Sequence, residues 1–241
     1  MVFRFRSLLG KLIRGKRIRV VQRDNDIYLK SFDLGSTGIA DMQNSLNLRQ
    51  FEEQTKSIAS MTSPSERRFS LYLSLTCPVD GDIIEVGSWV GGITCFLAKG
   101  CQLRGNGIVN AIDHFKGNVG KEESYSKGLE PGESAYDRFL KNIRLADVDN
   151  CIRVWKMNSA QARDNLNDPV RIVFIDGDHE YQSVRDEILR WEPLLKSGGF
   201  LALHDFSNAF PGVIRAAKET ILQELYGYFL LVDSLLIAQK K

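Results

Sequence analysis

From residue 82 onward the sequence alternates between short apolar runs and segments with helical spacing, and this alternation limits the fold more than any other feature. The apolar runs lie at 82–87, 107–113, 151–155, 171–176 and 199–205, and the helical patterns lie near 92–99, 134–145, 159–166, 181–195 and 211–225. Strands that alternate with helices form a mostly parallel sheet with helices on both faces. Two last apolar runs, 228–232 and 235–238, predict a C-terminal antiparallel hairpin. The predicted fold class is therefore α/β, with a seven-stranded, mostly parallel sheet.

Composition narrows the class of protein. Of 241 residues, 43% are hydrophobic and 26% are charged, which is ordinary for a globular protein and excludes a disordered chain, a collagen-like fibre and a disulfide scaffold. No apolar run approaches the roughly 20 residues that span a bilayer, and the net charge of +2 does not mark a nucleic-acid binder. Four cysteines without a C-x-x-C pair, and no pattern typical of a secretory signal, predict reduced thiols and a cytoplasmic protein.

The first 23 residues form a basic segment that contains no acidic residue. Apolar residues recur there at helical spacing and predict an amphipathic helix, with a stripe made of Phe5, Leu8, Leu9, Leu12 and Ile13. Such a helix can contact an anionic membrane surface through residues 1–20, pack against a partner subunit of a homo-oligomer, or fray. Ser63 and Pro64 are typical of a helix cap and a first helical position. We therefore divide the chain into residues 1–62, a basic arm with a helical extension, and residues 63–241, the α/β domain.

Polar or glycine residues follow each predicted strand of the parallel sheet, at the end where such sheets bind ligands. Residues 85–94 read E-V-G-S-W-V-G-G-I-T and join a strand to a helix through glycines that permit a close backbone approach. They are not a G-x-G-x-x-G dinucleotide fingerprint, because position 89 is tryptophan, and they are not a P-loop. Asp113 ends the second strand, where a carboxylate can accept hydrogen bonds from both hydroxyls of a ribose.

The loop at 85–94, followed by Asp113, resembles motifs I and II of class I S-adenosylmethionine (SAM)-dependent methyltransferases. The segment F-I-D-G-D-H-E-Y at 174–181, with Trp191, S-G-G at 197–199 and the pair His204-Asp205, resembles one branch of that superfamily. This branch comprises small-molecule O-methyltransferases, among them macrolide-sugar methyltransferases, and cephalosporin hydroxylase-like relatives. The resemblance covers about residues 64–241 and implies a Rossmann-like fold.

The same resemblance implies SAM as the cofactor of the domain 63–241. Glu85 and Gly87 would line its methionine end, Asp113 would hold the ribose, and Asn158 with Ser159 would lie near the adenine. The full set of predicted cofactor-binding residues is Glu85, Gly87, Ser88, Trp89, Gly91, Asp113, Asn158, Ser159 and Asp176.

Asp176 and Asp205 end two predicted strands, and neighbouring parallel strands lie roughly 4.8 Å apart, so the two carboxylates can face one cation. Two carboxylates with water suit Mg²⁺, which would lower the pKa of an acceptor hydroxyl and orient it. Related metal-dependent O-methyltransferases use acidic residues at these strand ends, which supports the assignment. Some of them carry asparagine where Phe206 stands, so Asp178 or His204 is left for the third ligand. The predicted metal set is Asp176, Asp205 and His204.

His179 follows Asp176 by three residues and is the predicted general base, since imidazole titrates near the working pH. The resemblance to sugar methyltransferases with a histidine at this place agrees, and Asp176 completes the predicted catalytic pair. The polar, glycine-containing loop 114–133 predicts a cover that excludes water from the reaction.

Together these residues predict a Mg²⁺-assisted, SAM-dependent O-methyltransferase that acts on a hydroxyl of a small molecule, such as a sugar or a sugar-bearing natural product. Two alternatives stay open. One is a cephalosporin hydroxylase-like oxygenase with a metal held by His179, His204 and Asp176, and the other is a non-catalytic SAM-binding protein. A nucleic-acid partner is disfavoured because the chain has no Asn/Asp-Pro-Pro-Tyr/Phe/Trp segment and its basic patch is confined to one end.

Overall fold

The computed structural model describes residues 18–21, 48–117, 125–126, 129–221 and 224–241. Their strands are β1 (Ile18–Val21), β2 (Ile83–Val86), β3 (Val109–Asp113), β4 (Ile152–Lys156), β5 (Val170–Ile175), β6 (Leu195–Leu203), β7 (Tyr226–Val232) and β8 (Leu235–Lys240). Their α-helices are α1 (Leu48–Thr55), α2 (Pro64–Thr76), α3 (Thr94–Arg104), α4 (Ala135–Leu145), α5 (Ser159–Arg163), α6 (Tyr181–Trp191) and α7 (Pro211–Thr220). None of the helices in these ranges is both long and apolar enough to cross a bilayer.

The strands form one sheet in the order β1-β7-β8-β6-β5-β2-β3-β4. Neighbouring strands are parallel except where β8 pairs with β6 and β7. The predicted α/β sheet and its C-terminal antiparallel hairpin are therefore confirmed. The added eighth strand, β1, was not predicted, and it pairs with β7 from within the basic segment. The apolar stripe at residues 5–13, on which the amphipathic helix and its membrane or partner contacts were predicted, lies outside the described residues.

Two apolar layers, one on each face of the sheet, make up the core. Consecutive strand residues alternate between them, so that Ile83 of β2 joins one layer and Ile84 joins the other. The first layer packs against α1–α4 and the second against α5–α7. Burial of one large aliphatic side chain contributes roughly 1.5–3 kcal/mol. Because the central strands are covered on both faces, their sequences are continuous apolar runs rather than alternating ones.

The helix boundaries follow from local chemistry. Ser63 caps α2 as predicted: its hydroxyl accepts from the Glu66 N–H at 3.1 Å, and the Glu66 carboxylate accepts from the Ser63 N–H at 2.7 Å. Helix α6 ends at Trp191, earlier than the predicted 195, because Pro193 cannot continue a helix and a short 3₁₀ turn follows, Glu192–Leu194. Strand β6 then begins at Leu195 rather than at the predicted 199.

The ends of β2 and β5 approach each other closely at Gly87. This residue has φ 88°, and a Cβ built on it would lie 2.1 Å from the carbonyl oxygen of Asp176. Only glycine fits such a position, both for its backbone angle and for the contact. The close approach brings the loop after β2 next to the acidic segment after β5.

Candidate active site

A cavity of about 530 Å³ lies across the carboxyl ends of the parallel strands β2–β6. Most of the predicted site residues line it, and these are Glu85, Gly87, Ser88, Trp89, Asp113, Asn158, Ser159, Asp176, His179 and Asp205. Gly91 and His204 are not in its lining. The strand order explains the grouping, because parallel strands present their carboxyl ends at one edge of the sheet.

Asp113 at the end of β3 organises the loops around the cavity. Its carboxylate accepts from the Trp89 N–H at 2.7 Å and from the Phe115 N–H at 2.6 Å. The Tyr125 hydroxyl lies 3.5 Å from the same carboxylate, and the Trp89 indole N–H donates to the Tyr125 carbonyl at 2.9 Å. Part of the predicted cover therefore lies at the cavity, since His114 and Tyr125 line it. Residues 118–124 and 127–128 of that loop are outside the described part of the chain.

Gly91 packs closely against α4 and is not in the cavity lining. It has φ 88°, and a Cβ at this position would lie 3.2 Å from the Phe139 ring of α4. Its lack of a side chain lets the loop after β2 pack on α4, and the prediction that it contacts the cofactor stays a prediction.

Glu85 is a buried carboxylate in the wall of the cavity. It accepts hydrogen bonds from the hydroxyls of Ser88 at 3.0 Å and Thr94 at 2.7 Å. Burial raises its pKa to about 8, and those two hydrogen bonds only partly oppose the rise. The site thus holds a carboxyl group that can become negatively charged when a positive ligand is bound nearby.

Asn158 and Ser159 lie where β4 turns into α5, and both already make hydrogen bonds. The Asn158 side chain caps α5 by accepting from the Gln161 N–H at 2.9 Å. The Ser159 hydroxyl accepts from the Trp191 indole N–H at 2.8 Å. A hydroxyl that accepts one hydrogen bond can still donate another, so Ser159 remains able to bind a ligand.

Asp176, His179 and Asp205 form a cluster at the ends of β5 and β6. Their ligand atoms lie within 4.8 Å of one another, a spacing that can hold a metal ion. His179 Nε2 lies 2.6 Å from an Asp205 oxygen, and its ring stacks on Phe210 with centroids 4.2 Å apart. Burial would raise the pKa of Asp205, but hydrogen bonds from His179 and His204 outweigh it and hold that pKa below its usual range. The two carboxylates, together with water, are ligands that suit Mg²⁺ and Mn²⁺.

His204 lies behind this cluster. Its Nδ1 is 3.0 Å from Asp176 Oδ1 and 3.4 Å from Asp205 Oδ2, and its Nε2 is 3.3 Å from Glu66 Oε2. Burial lowers its pKa, but the surrounding carboxylates outweigh burial and raise that pKa far above the ordinary value. His204 is not in the group of residues whose ligand atoms lie together, and His179 is the histidine that joins the two acids there. Both ring nitrogens of His204 face carboxylates, and its role as a metal ligand stays a prediction.

Some acidic residues near the site were not singled out from the sequence, and Glu66 and Glu187 are two of them. Glu66 contacts His204, and its spacing from Ser63 was the available signal, since S-x-x-E is a capping box. Glu187 lines the cavity, and its Oε2 is buried without a hydrogen-bond partner among the described residues. Burial raises the Glu187 pKa to about 7. Glu187 lies three residues after Val184, within the apolar stripe of α6. A charged residue within an apolar stripe is the sequence signal that could have identified Glu187 as a candidate site residue.

Comparisons with known proteins bear on the family and the fold of this chain. A family model described as a methyltransferase domain matches residues 84–206. The fold is similar to that of the Bacillus cereus O-methyltransferase in complex with SAH (15% identity, 90% of this chain and 96% of that chain, TM-score 0.56). It is also similar to the O-methyltransferase NovP (15% identity, 90% of this chain and 100% of that chain, TM-score 0.57). A third similar structure is the O-methyltransferase TomG from Streptomyces achromogenes, which is involved in tomaymycin synthesis and was solved in complex with SAM (13% identity, 90% of this chain and 95% of that chain, TM-score 0.54). At these identities the three structures share a fold with this chain.

Proposed function

Because the chain belongs to the methyltransferase-domain family and is a SAM-dependent methyltransferase, we propose that it transfers the methyl group of SAM to a hydroxyl of a small molecule, assisted by Mg²⁺. The acceptor we propose is a sugar or a sugar-bearing natural product. One observation carries the proposal: a single cavity adjoins both the glycine loop after β2 and the cluster of Asp176, His179 and Asp205.

The cofactor would occupy the part of the cavity between β2 and β4. Glu85, Gly87 and Ser88 would face the methionine end, where the buried carboxyl group complements the positive charges of SAM. Asp113 would accept hydrogen bonds from the ribose hydroxyls. Asn158, Ser159 and the unpartnered oxygen of Glu187 would surround the adenine, whose amino group is a donor.

The acceptor hydroxyl would lie beside Asp176, His179 and Asp205. Mg²⁺ bound by Asp176 and Asp205 would lower the pKa of that hydroxyl. His179 would take its proton at Nδ1, while Asp205, 2.6 Å from Nε2, would orient the ring and stabilise the imidazolium. The acceptor oxygen would then form a bond to the methyl carbon as the carbon–sulfur bond breaks, and S-adenosylhomocysteine would leave as a neutral thioether. The protein's main task is to hold the three atoms in line.

Residues 63–241 would supply this activity, with residues 1–62 as an addition. The helix α1 of that addition packs on the domain, since Phe51 and Phe96 have ring centroids 5.1 Å apart. The oxygenase alternative would need His204 as a ligand, and both nitrogens of His204 already contact carboxylates. The methyltransferase proposal therefore has the stronger support.

Calorimetry with SAM, with and without Mg²⁺, tests the proposal directly. We expect SAM to bind to the wild-type protein, and Asp176→Asn to weaken Mg²⁺ binding by at least about 10-fold because one carboxylate ligand is lost. Asp168→Asn is the matched control, since Asp168 is exposed and outside the cavity. Absence of SAM binding would refute the proposed function. Turnover of a hydroxylated acceptor that survives EDTA unchanged would refute the role of Mg²⁺.

A further inference from the structure

A buried chain of polar contacts connects the start of α2 to the cluster of Asp176, His179 and Asp205. Glu66 and His204 are 2% and 4% exposed. Glu66 Oε2 lies 3.3 Å from His204 Nε2, and His204 Nδ1 lies 3.0 Å from Asp176 Oδ1. Each end of the imidazole thus faces a carboxylate, one in the cavity and one behind it. The three residues come from three separate elements, the first turn of α2 and the ends of β5 and β6.

Glu66 is itself held on several sides. Its Oε1 accepts from the Ser234 N–H at 2.9 Å and from the Ser234 hydroxyl at 2.8 Å. Its Oε2 accepts from the Ser63 N–H at 2.7 Å, and the Ser63 hydroxyl donates to Asp233 at 2.6 Å. The turn between β7 and β8 and the cap of α2 therefore fix the Glu66 carboxylate in one position. A capping-box glutamate needs only the bond to Ser63, so the other contacts exceed what the helix requires.

A histidine held at one nitrogen can orient a group at the other. With Glu66 at Nε2, the His204 ring is set so that Nδ1 meets Asp176 Oδ1 and approaches Asp205 Oδ2 at 3.4 Å. The imidazole thus stands between two acids that would otherwise repel each other. Residues that hydrogen-bond to metal ligands fix the orientation of those ligands. Mutation of such a hydrogen-bonding residue typically reduces metal affinity or activity about 10–100-fold.

We propose that Glu66 is a positioning residue for the reaction, acting through His204 to hold the Asp176 and Asp205 carboxylates in the geometry that binds the metal. The inference rests on the proposed function, because it assigns Glu66 a part in that same site. Glu66 does not line the cavity, and its effect is transmitted by the His204 ring.

Glu66→Gln tests the inference, because glutamine also completes a capping box while the negative charge beside His204 is lost. The full chain is titrated with Mn²⁺ alone, and separately with SAM, by calorimetry. We expect Glu66→Gln to weaken Mn²⁺ binding by at least about 10-fold and to leave the SAM dissociation constant within about 2-fold of wild type. The double variant Glu66→Gln/His204→Gln should lose no more Mn²⁺ affinity than His204→Gln alone, because Glu66 acts through the ring.

Two controls separate positioning from structure. Ser63→Ala removes the capping hydroxyl but keeps Glu66 and the backbone N–H that donates to it, and Asp137→Asn removes a first-turn acid of α4 that does not line the cavity. Both should leave Mn²⁺ affinity unchanged, whatever they do to the thermal midpoint. Unchanged Mn²⁺ affinity in a folded Glu66→Gln protein would overturn the inference, as would a wild-type protein that binds no Mn²⁺. A wild-type protein that binds Mn²⁺ but not SAM would refute the proposed function alone.

Discussion

At the scale of single residues, Glu85 shows how burial changes the chemistry of a side chain. The pKa of Glu85 is about 8 in the folded protein, compared with an ordinary value of 4.5. Between these two pH values the folded protein keeps a proton that the unfolded chain has lost. The unfolded state then binds fewer protons than the folded state, so stability falls as the pH rises from about 4.5 to about 8. Below this range the carboxyl group is protonated in both states and has no effect on the slope.

We therefore predict that Glu85→Gln flattens the pH dependence of unfolding. Between pH 5 and pH 8 the wild-type protein should lose on the order of a few kcal/mol of stability that the variant keeps, because glutamine carries no charge. Urea unfolding at the two pH values, without SAM, measures the difference. The exposed Glu53→Gln serves as the control. A variant that retains the full wild-type slope would contradict a raised pKa at Glu85.

At the scale of elements, the contact between α5 and α6 shapes the adenine side of the proposed site. Trp191 ends α6, is fully buried, and donates from its indole nitrogen to Ser159 at the start of α5. Glu187 lies one turn earlier on α6 and lines the cavity. The packing of these two helices therefore places both Ser159 and Glu187.

We predict that Trp191→Phe loosens this contact, lowering the free energy of unfolding by about 1–3 kcal/mol through lost volume and a lost hydrogen bond. SAM binding should weaken as well, because Ser159 loses its orienting partner. Trp155→Phe is the matched control: Trp155 donates to Asn110 at 3.1 Å from the edge strand β4 and is partly exposed. If both variants weakened SAM binding equally, the α5–α6 contact would have no special part in the site.

At the scale of the whole molecule, the proposed site and the most deeply buried cation of the described residues lie at opposite ends of β5. Asp176 follows the carboxyl end of that strand, and Arg171 stands near its start, about 16 Å away at 3.3 Å per residue. Arg171 is fully buried; one guanidinium nitrogen contacts Ser74 and Cys101, and Nε and Nη1 have no hydrogen-bond partner among the described residues. Burial of such donors costs free energy.

We predict that Arg171→Met leaves the free energy of unfolding within about 1 kcal/mol of wild type or raises it, since methionine keeps much of the volume without the charge. SAM binding should be unchanged because the site is at the other end of the sheet. Arg171→Ala should instead lose about 2 kcal/mol or more through the cavity it leaves. Denaturant unfolding of the wild type and the two variants measures these free energies of unfolding. An equal loss of stability in both variants would mean that the charge of Arg171 itself stabilises the core.

Much of the fold could be predicted because local sequence patterns indicate most of its strands and helices. The buried strands read as continuous apolar runs, and Ser63-Pro64 marked the start of α2. Strand β1 was not predicted because its four residues lie within a basic segment whose apolar spacing indicated a helix. Its partner strand, β7, is more than 200 residues away in the chain, so no local pattern reveals the pairing. The predicted site residues at the strand ends came together for a topological reason, since parallel strands share one edge.

By itself, the sequence determined the class of the fold, the edge of the sheet that holds the site and the residues that line most of the cavity, because strand ends and glycine turns are local features. Only the tertiary structure showed the contacts of Gly91, Glu66 and His204. His204 and Asp205 are adjacent in the chain, yet one is enclosed by carboxylates and the other faces the cavity. Glu66, 138 residues away in the chain, contacts the far side of the His204 ring, and no local pattern encodes a contact between residues so far apart.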